Sequence, residues 1–134
     1  MNIDHIAIWT LDIDRLKDFY TTFFNGRSNA KYVNVKKQFE SYFIEFDAGA
    51  RLEIMARADV TESASETSTQ YLGLTHLAFG VQSRAVVDAQ AARLKASGFA
   101  ILSGPRVTGD GYYEFETEDP DGNRVEVTCV HIAG

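Results

Sequence analysis

The sequence predicts an α+β fold built from two βαβββ modules, with sheets that curl around a common cleft. Three observations predict it. Ile3-Asp4-His5-Ile6-Ala7-Ile8 is echoed by Leu74-Thr75-His76-Leu77-Ala78-Phe79, which sets the two histidines 71 residues apart. Gly49-Ala50-Arg51-Leu52-Glu53-Ile54 is echoed by Gly122-Asn123-Arg124-Val125-Glu126-Val127, at an offset of 73. Between each His stretch and each Glu stretch the hydrophobic period passes from helical to alternating, in the same order both times. The chain therefore reads as an internal duplication with halves of roughly 1–70 and 71–134.

Residues 3–9 alternate, with Ile6 and Ile8 on one face and His5, Ala7 and Trp9 on the other, as a strand requires. Asp12 or Asp14 can cap a helix over 13–24, whose buried stripe is Leu16, Phe19, Tyr20, Phe23 and Phe24. Asn25-Gly26 stops it. Two strands follow within 30–46, one through Tyr32, Val33 and Val35 and one over Tyr42 to Phe46, on either side of a Lys36-Lys37-Gln38 turn. Asp47-Ala48-Gly49 turns the chain into a strand from Arg51 to Met55, with Leu52 and Ile54 inward and Glu53 outward. The polar passage from Ala58 to Thr69 has no apolar period and reads as a connection between the halves, or as a lid over a site.

The second half repeats the plan. Leu74 to Val81 is a strand, Ser83 caps a helix over 84–96 with Val86, Val87, Ala89, Ala91 and Leu94 for packing, and Ser97-Gly98 closes it. Phe99 to Leu102 starts a strand, and Gly104-Pro105 and Gly109-Asp110-Gly111 bracket a loop. Tyr112 to Thr117 is extended, Asp119-Pro120-Asp121-Gly122 turns, and Arg124 to Val130 is the last strand.

Strand parity carries the functional reading. His5, Glu53, His76 and Glu126 each point away from the apolar face of their strand, which a helix would cover, so four potential ligands share the opposite faces. Two imidazoles and two carboxylates suit a borderline or hard divalent ion such as Zn, Ni, Mn or Fe(II), with positions left for water or substrate. Cys129 is off parity with Glu126 and reads as a small core residue, which argues against a thiolate site. Trp9, Tyr112 and Tyr113 are candidates for an aromatic pocket lining.

The totals bound the classes. At 134 residues, 45% hydrophobic and 24% charged, the chain is an ordinary globular domain. A net charge of −6, with Lys36-Lys37 the one adjacent basic pair, argues against nucleic acid. A single cysteine gives no reason to assign an oxidising compartment, and with no leader and no apolar run near 18 residues the expectation is a cytoplasmic protein off the membrane.

The segments Asp4-His5-Ile6-Ala7, Phe19-Tyr20 before Asn25-Gly26, Leu52-Glu53, Leu74 to Phe79, and Asp119 to Glu126 resemble the vicinal oxygen chelate superfamily, which takes in glyoxalases, bleomycin resistance proteins and extradiol dioxygenases. The likeness covers essentially the whole chain and is strongest to the glyoxalase I-like, lactoylglutathione lyase branch. It implies one domain over 1–134, with modules 1–57 and 73–134 joined by a polar loop 58–72, and an open, curved mixed-sheet barrel around a metal cleft. It implies metal ligation by His5, Glu53, His76 and Glu126, with Zn or Ni as the ion and Mn or Fe as alternatives. Lyase or isomerase chemistry follows from the same resemblance: proton transfer through a metal-stabilised enediolate on a small hydroxycarbonyl or thiol adduct, with Glu126 as base and Glu53 as the second carboxylate. A homodimer acting on a small-molecule substrate is implied as well. The family also holds metal-dependent dioxygenases and non-catalytic drug-binding proteins, and these are the alternative readings. One departure bears on the substrate: in place of the basic residues of glyoxalase I proteins stand Trp9-Thr10-Leu11 and Thr108 to Tyr112. Arg57 and Arg106 are the substitutes available as anion contacts.

Overall fold

The computed structural model describes residues 1–62 and 69–131. By its contacts the chain forms two compact units, Met1–Ser65 and Glu66–Gly134. The polar passage read as a linker or lid lies partly outside the described residues, at 63–68.

The first unit runs β1 (His5–Trp9), α1 (Ile13–Phe23), β2 (Arg27–Ser28), β3 (Tyr32–Asn34), β4 (Phe39–Glu45) and β5 (Arg51–Arg57). Its sheet has the order β1-β5-β4-β2, with β3 also paired to β4. β1 and β5 are parallel and the other pairs antiparallel. Asp12 caps α1 by accepting a hydrogen bond from the Arg15 backbone N–H at 3.0 Å. Ile13, Leu16, Phe19 and Tyr20 bury one helix face against Tyr42, Ile44, Leu52 and Ile54 of the sheet. Phe23 and Phe24, expected in that stripe, are only partly covered because the helix ends beside them.

The second unit runs β6 (His76–Gly80), α2 (Arg84–Ala96), β7 (Ile101–Val107), β8 (Tyr112–Glu118) and β9 (Arg124–Val130), in sheet order β6-β9-β8-β7. Val87, Ala91 and Leu94 of α2 are buried with Phe115, Val125, Val127 and Cys129 as the core, while Val86 stays exposed. Gly104-Pro105 falls inside β7 instead of opening a loop. The strand absorbs it through register irregularities between Ile101 and Arg106. Gly104 has φ +83°, and a Cβ there would meet the Glu114 carbonyl oxygen of β8 at 2.5 Å, so this close approach admits glycine alone.

The expected barrel is corrected. There are two βαβββ-like modules, the first with an additional two-residue strand, but neither sheet closes on itself or curls strongly. Closure needs an edge strand able to pair along its length. The first sheet ends in strands of two and three residues, and the second in β7, where Pro105 has no N–H to donate.

Candidate functional site

In each unit the first and last strands are parallel neighbours in the same register. His5 lies beside Arg51 and Ala7 beside Glu53, as His76 lies beside Arg124 and Ala78 beside Glu126. This register sets each His diagonally from its Glu on the face away from the helix. His5 Nε2 is 3.8 Å from Glu53 Oε1, and His76 Nε2 is 3.3 Å from Glu126 Oε2. The glutamates are largely covered, at 17% and 16% side-chain exposure, while the imidazoles are open at 41% and 38%. A covered acceptor under an accessible imidazole is a pair that a ligand can reach.

The other ring nitrogen is held in both units. His5 Nδ1 is 2.7 Å from Asp4 Oδ2, and the same oxygen accepts from Arg51 Nη2 at 2.7 Å. These two partners keep the Asp4 carboxyl below the usual carboxylate range. His76 Nδ1 is 2.9 Å from Thr75 Oγ1. Anchoring Nδ1 fixes the ring and leaves Nε2 for a ligand, which is the arrangement metal-bound histidines use. Asp4 and Thr75 stand in the repeated motifs, but the sequence does not disclose this role. Strand alternation hides it, since neighbours in a strand face opposite ways; both residues immediately precede their strands and escape that rule.

The surroundings differ. Around the first pair, the Phe43 ring meets His5 edge-on at 5.4 Å, and Arg51 lies 4.4 Å over Phe43. Around the second are Glu116, directly opposite Glu126, and Glu114, directly opposite Thr128. Burial pushes the Glu126 carboxyl up; His76 pulls it down, and Glu114 and Glu116 push it further up. Arg124 Nε lies 3.8 Å from Glu116 Oε1.

Of the pocket candidates, Trp9 is on the face that carries His5, 40% exposed, with Arg57 4.9 Å over its ring and Phe39 edge-on at 6.2 Å. Arg57 is paired to Asp59 at 2.5 Å. Arg106 lies opposite Glu114 and donates to Ser103 Oγ at 3.3 Å. Tyr112 begins β8 in the alternation of Glu114 and Glu116. Tyr113 is not brought together with these: its hydroxyl donates to Asp88 of α2 at 2.6 Å, and Arg84 covers its ring at 4.1 Å, on the helix-bearing face.

Among the described residues no group of three or more His, Cys, Asp or Glu is arranged to hold a metal ion. Each unit offers two donors. Adjacent ligands about 2.1 Å from a shared ion sit about 3–3.4 Å apart, so the His76–Glu126 pair has that spacing and the His5–Glu53 pair is a few tenths of an ångström wider. With Nδ1 anchored and Nε2 facing a carboxylate, both pairs fit as partial donor sets for a borderline divalent ion.

Residues 2–127 match the profile of the Glyoxalase/Bleomycin resistance protein/Dioxygenase superfamily, and the chain belongs to that family. Divalent metals are common among its members. The uncharacterized protein YqjT of Bacillus subtilis (strain 168) is 39% identical over 61 residues, which are 43% of this chain and 48% of that protein, so the chain spans about half the length of this curated relative. Among solved structures, the trypanothione-dependent glyoxalase I of Leishmania major superimposes with TM-score 0.74 at 20% identity, over 98% of this chain and 86% of that one. TnmS3, an antibiotic-binding protein from Streptomyces sp. CB03234, gives 0.72 at 21%, over 97% and 96%. An enzyme and a binding protein match equally well, so these similarities establish the fold alone. No helix among the described residues is long and apolar enough to cross a membrane.

Proposed function

We propose that this protein is a divalent-metal-dependent lyase or isomerase of glyoxalase type, cytoplasmic and homodimeric, acting on a small hydroxycarbonyl or thiol adduct. The observation that carries this reading is the repeated pair: in each unit an anchored imidazole turns Nε2 toward a largely covered carboxylate on the parallel neighbouring strand. His5, Glu53, His76 and Glu126 are the proposed ligands, with Zn or Ni as the first choice of ion.

Held by these residues, the ion would supply Lewis acidity toward a carbonyl oxygen of the substrate. The protein's own work is proton transfer and positioning. Glu126 is the proposed base, because burial pushes its carboxyl up in the metal-free chain, and a carboxyl pushed up is a stronger proton acceptor. Glu53 is the second carboxylate, and Asp4 and Thr75 orient the imidazoles. Trp9, Arg57, Arg106 and Tyr112 are proposed to border the substrate; Tyr113, engaged with α2, is left out.

The test is metal content by mass spectrometry of the purified protein and of His5→Ala, His76→Ala and Glu126→Gln, together with turnover of methylglyoxal–thiol adducts. The expected result is bound Zn or Ni in the wild type, reduced in both His variants, and turnover lost in Glu126→Gln. A wild type that takes up no divalent ion on reconstitution overturns the reading. Bound metal with oxygen consumption on catechols transfers it to the dioxygenases. Bound metal with ligand binding but no turnover transfers it to the binding proteins.

A further inference from the structure

At the end of the first sheet, where β1 and β5 finish and the β3–β4 hairpin turns, the surface sinks into a cleft of about 490 Å³. The volume is within the range that holds drug-sized molecules. Its apolar lining includes Leu11, Val33, Val35, Phe39, Ala56 and Val60. Large aliphatic side chains here are left to solvent: Leu11 is 65%, Val33 49% and Val35 83% exposed. Three such residues border one concavity, unlike the scattered single exposures that need no explanation.

Charge restricts what the cleft can take. Among the described residues the charged ones that line it are Arg57, paired with Asp59 at 2.5 Å, and Glu40, 3.9 Å from a Lys31 Nζ that Asp14 holds at 3.0 Å. An anionic ligand would meet Glu40 and compete with Asp59 for Arg57, and a cationic one would meet the Arg57 guanidinium. An uncharged ligand incurs neither repulsion. The cleft is also continuous with the face that carries His5 and Glu53: Phe39 and Arg57 line it, and both touch Trp9.

We infer that this cleft is a binding site for the apolar body of an uncharged small organic molecule, entered past Phe39 and Arg57. The inference stands without the metal reading, because neither His5 nor Glu53 lines the cleft and its occupancy is measured on metal-free protein.

Trp9 is the one tryptophan of the chain, so its fluorescence reports on this region. The probes are N-phenyl-1-naphthylamine, which is uncharged, and 8-anilinonaphthalene-1-sulfonate, which has the same ring framework with a sulfonate. Both are titrated into chelator-treated protein with excitation of Trp9. The uncharged dye is expected to bind saturably, quench Trp9 by energy transfer, and bind at least tenfold more tightly than the sulfonate. Leu11→Asp/Val35→Asp, at two largely exposed positions, is expected to weaken the uncharged dye at least tenfold with unchanged circular dichroism. Leu102→Asp, an exposed apolar residue of the second unit, is expected to leave it unchanged. Should the double variant fail to fold, Ala58→Phe fills the cleft without charging it and is read in the same way. Dye binding insensitive to the cleft variants, dye bound without Trp9 quenching, or equal affinity for the two dyes overturns the inference. So does a wild-type dimer that the double variant converts to monomer in sedimentation, since the cleft's occupant is then a second copy of the chain.

Discussion

Glu126 is where the chain's electrostatics can be read in a stability measurement. Its side chain is 16% exposed on the sheet face, and burial is the first cause of its raised carboxyl, with Glu114 and Glu116 adding to it and His76 opposing. A raised folded-state value means that the native protein holds this proton more tightly than the unfolded chain. The native state therefore binds more protons between the two values, and stability falls as pH rises through that window. The window opens at the ordinary glutamate value of 4.5 and ends at the raised one, above which the full cost is present. Glutamine has nearly the same shape and no charge to desolvate. Metal-free Glu126→Gln is therefore expected to be more stable than the wild type at pH 8, and to converge with it as pH falls to about 4. For a chain of this length 1 kcal/mol of stability moves Tm by about 3–5 °C, so a gain of even that size at pH 8 is resolved. Scanning calorimetry of both proteins from pH 4 to pH 8, in chelator, measures it. A wild type equal to or more stable than the variant at pH 8, with a difference that does not change with pH, would refute the reasoning.

The other predictions concern the anchoring partner and the fold. Asp4→Asn removes the carboxylate that holds His5 Nδ1 and is expected to lower metal affinity about tenfold, the low end for an orienting partner, because Asp4 is exposed; chelator competition measures it. Leu16→Ala empties a position with no solvent exposure and is expected to cost about 3–5 kcal/mol in urea unfolding. Gly104→Ala adds a Cβ against the Glu114 carbonyl oxygen at φ +83°. Its expected cost is about 2–3 kcal/mol or more by the same assay, with the loss centred on β7 and β8 in hydrogen exchange.

The strands and helices were legible because each has one buried face. α2 starts at the cap Ser83, where the sequence places it, α1 starts at Asp12, one of the two caps the sequence offers, and β5, β8 and β9 show their alternation in burial. What the sequence hid depends on partners distant along the chain. The two-residue β2 is too short for any period and exists because Arg27 and Ser28 pair with Glu45 and Ile44. Gly104-Pro105 has turn composition, yet the pairing of β7 with β8 on either side draws it into a strand. Barrel closure was not legible because curvature is decided by what the edge strands can pair with, and local sequence does not record that. At the site, parity put His and Glu on matching faces, but the sequence also groups Tyr113 with Tyr112, whereas adjacent strand residues face opposite ways and Tyr113 belongs to α2.

Matching the registers of the two units exposes a divergence that the shared motif conceals. Opposite Glu53 stands Phe43, and opposite Glu126 stands Glu116. Two residues further along, Met55 faces Ser41 where Thr128 faces Glu114, and then Arg57 faces Phe39 where Val130 faces Tyr112. Trp9 of β1 has Gly80 as its counterpart in β6, by the offset that relates the histidines. The first face has become aromatic, with its arginines held by Asp4 and Asp59, and the second acidic. Burial, with Glu114 and Glu116 beside it, pushes the Glu126 carboxyl up, and Glu53 instead stands opposite the Phe43 ring. On this ground the proton-carrying role goes to Glu126 and the purely ligating one to Glu53. Glu53→Gln and Glu126→Gln separate the two: the first is expected to reduce bound metal and turnover in parallel, the second to abolish turnover in excess of any loss of metal. Equal behaviour of the two variants, with turnover tracking metal content in both, would mean that the divergence of the faces does not divide the chemistry.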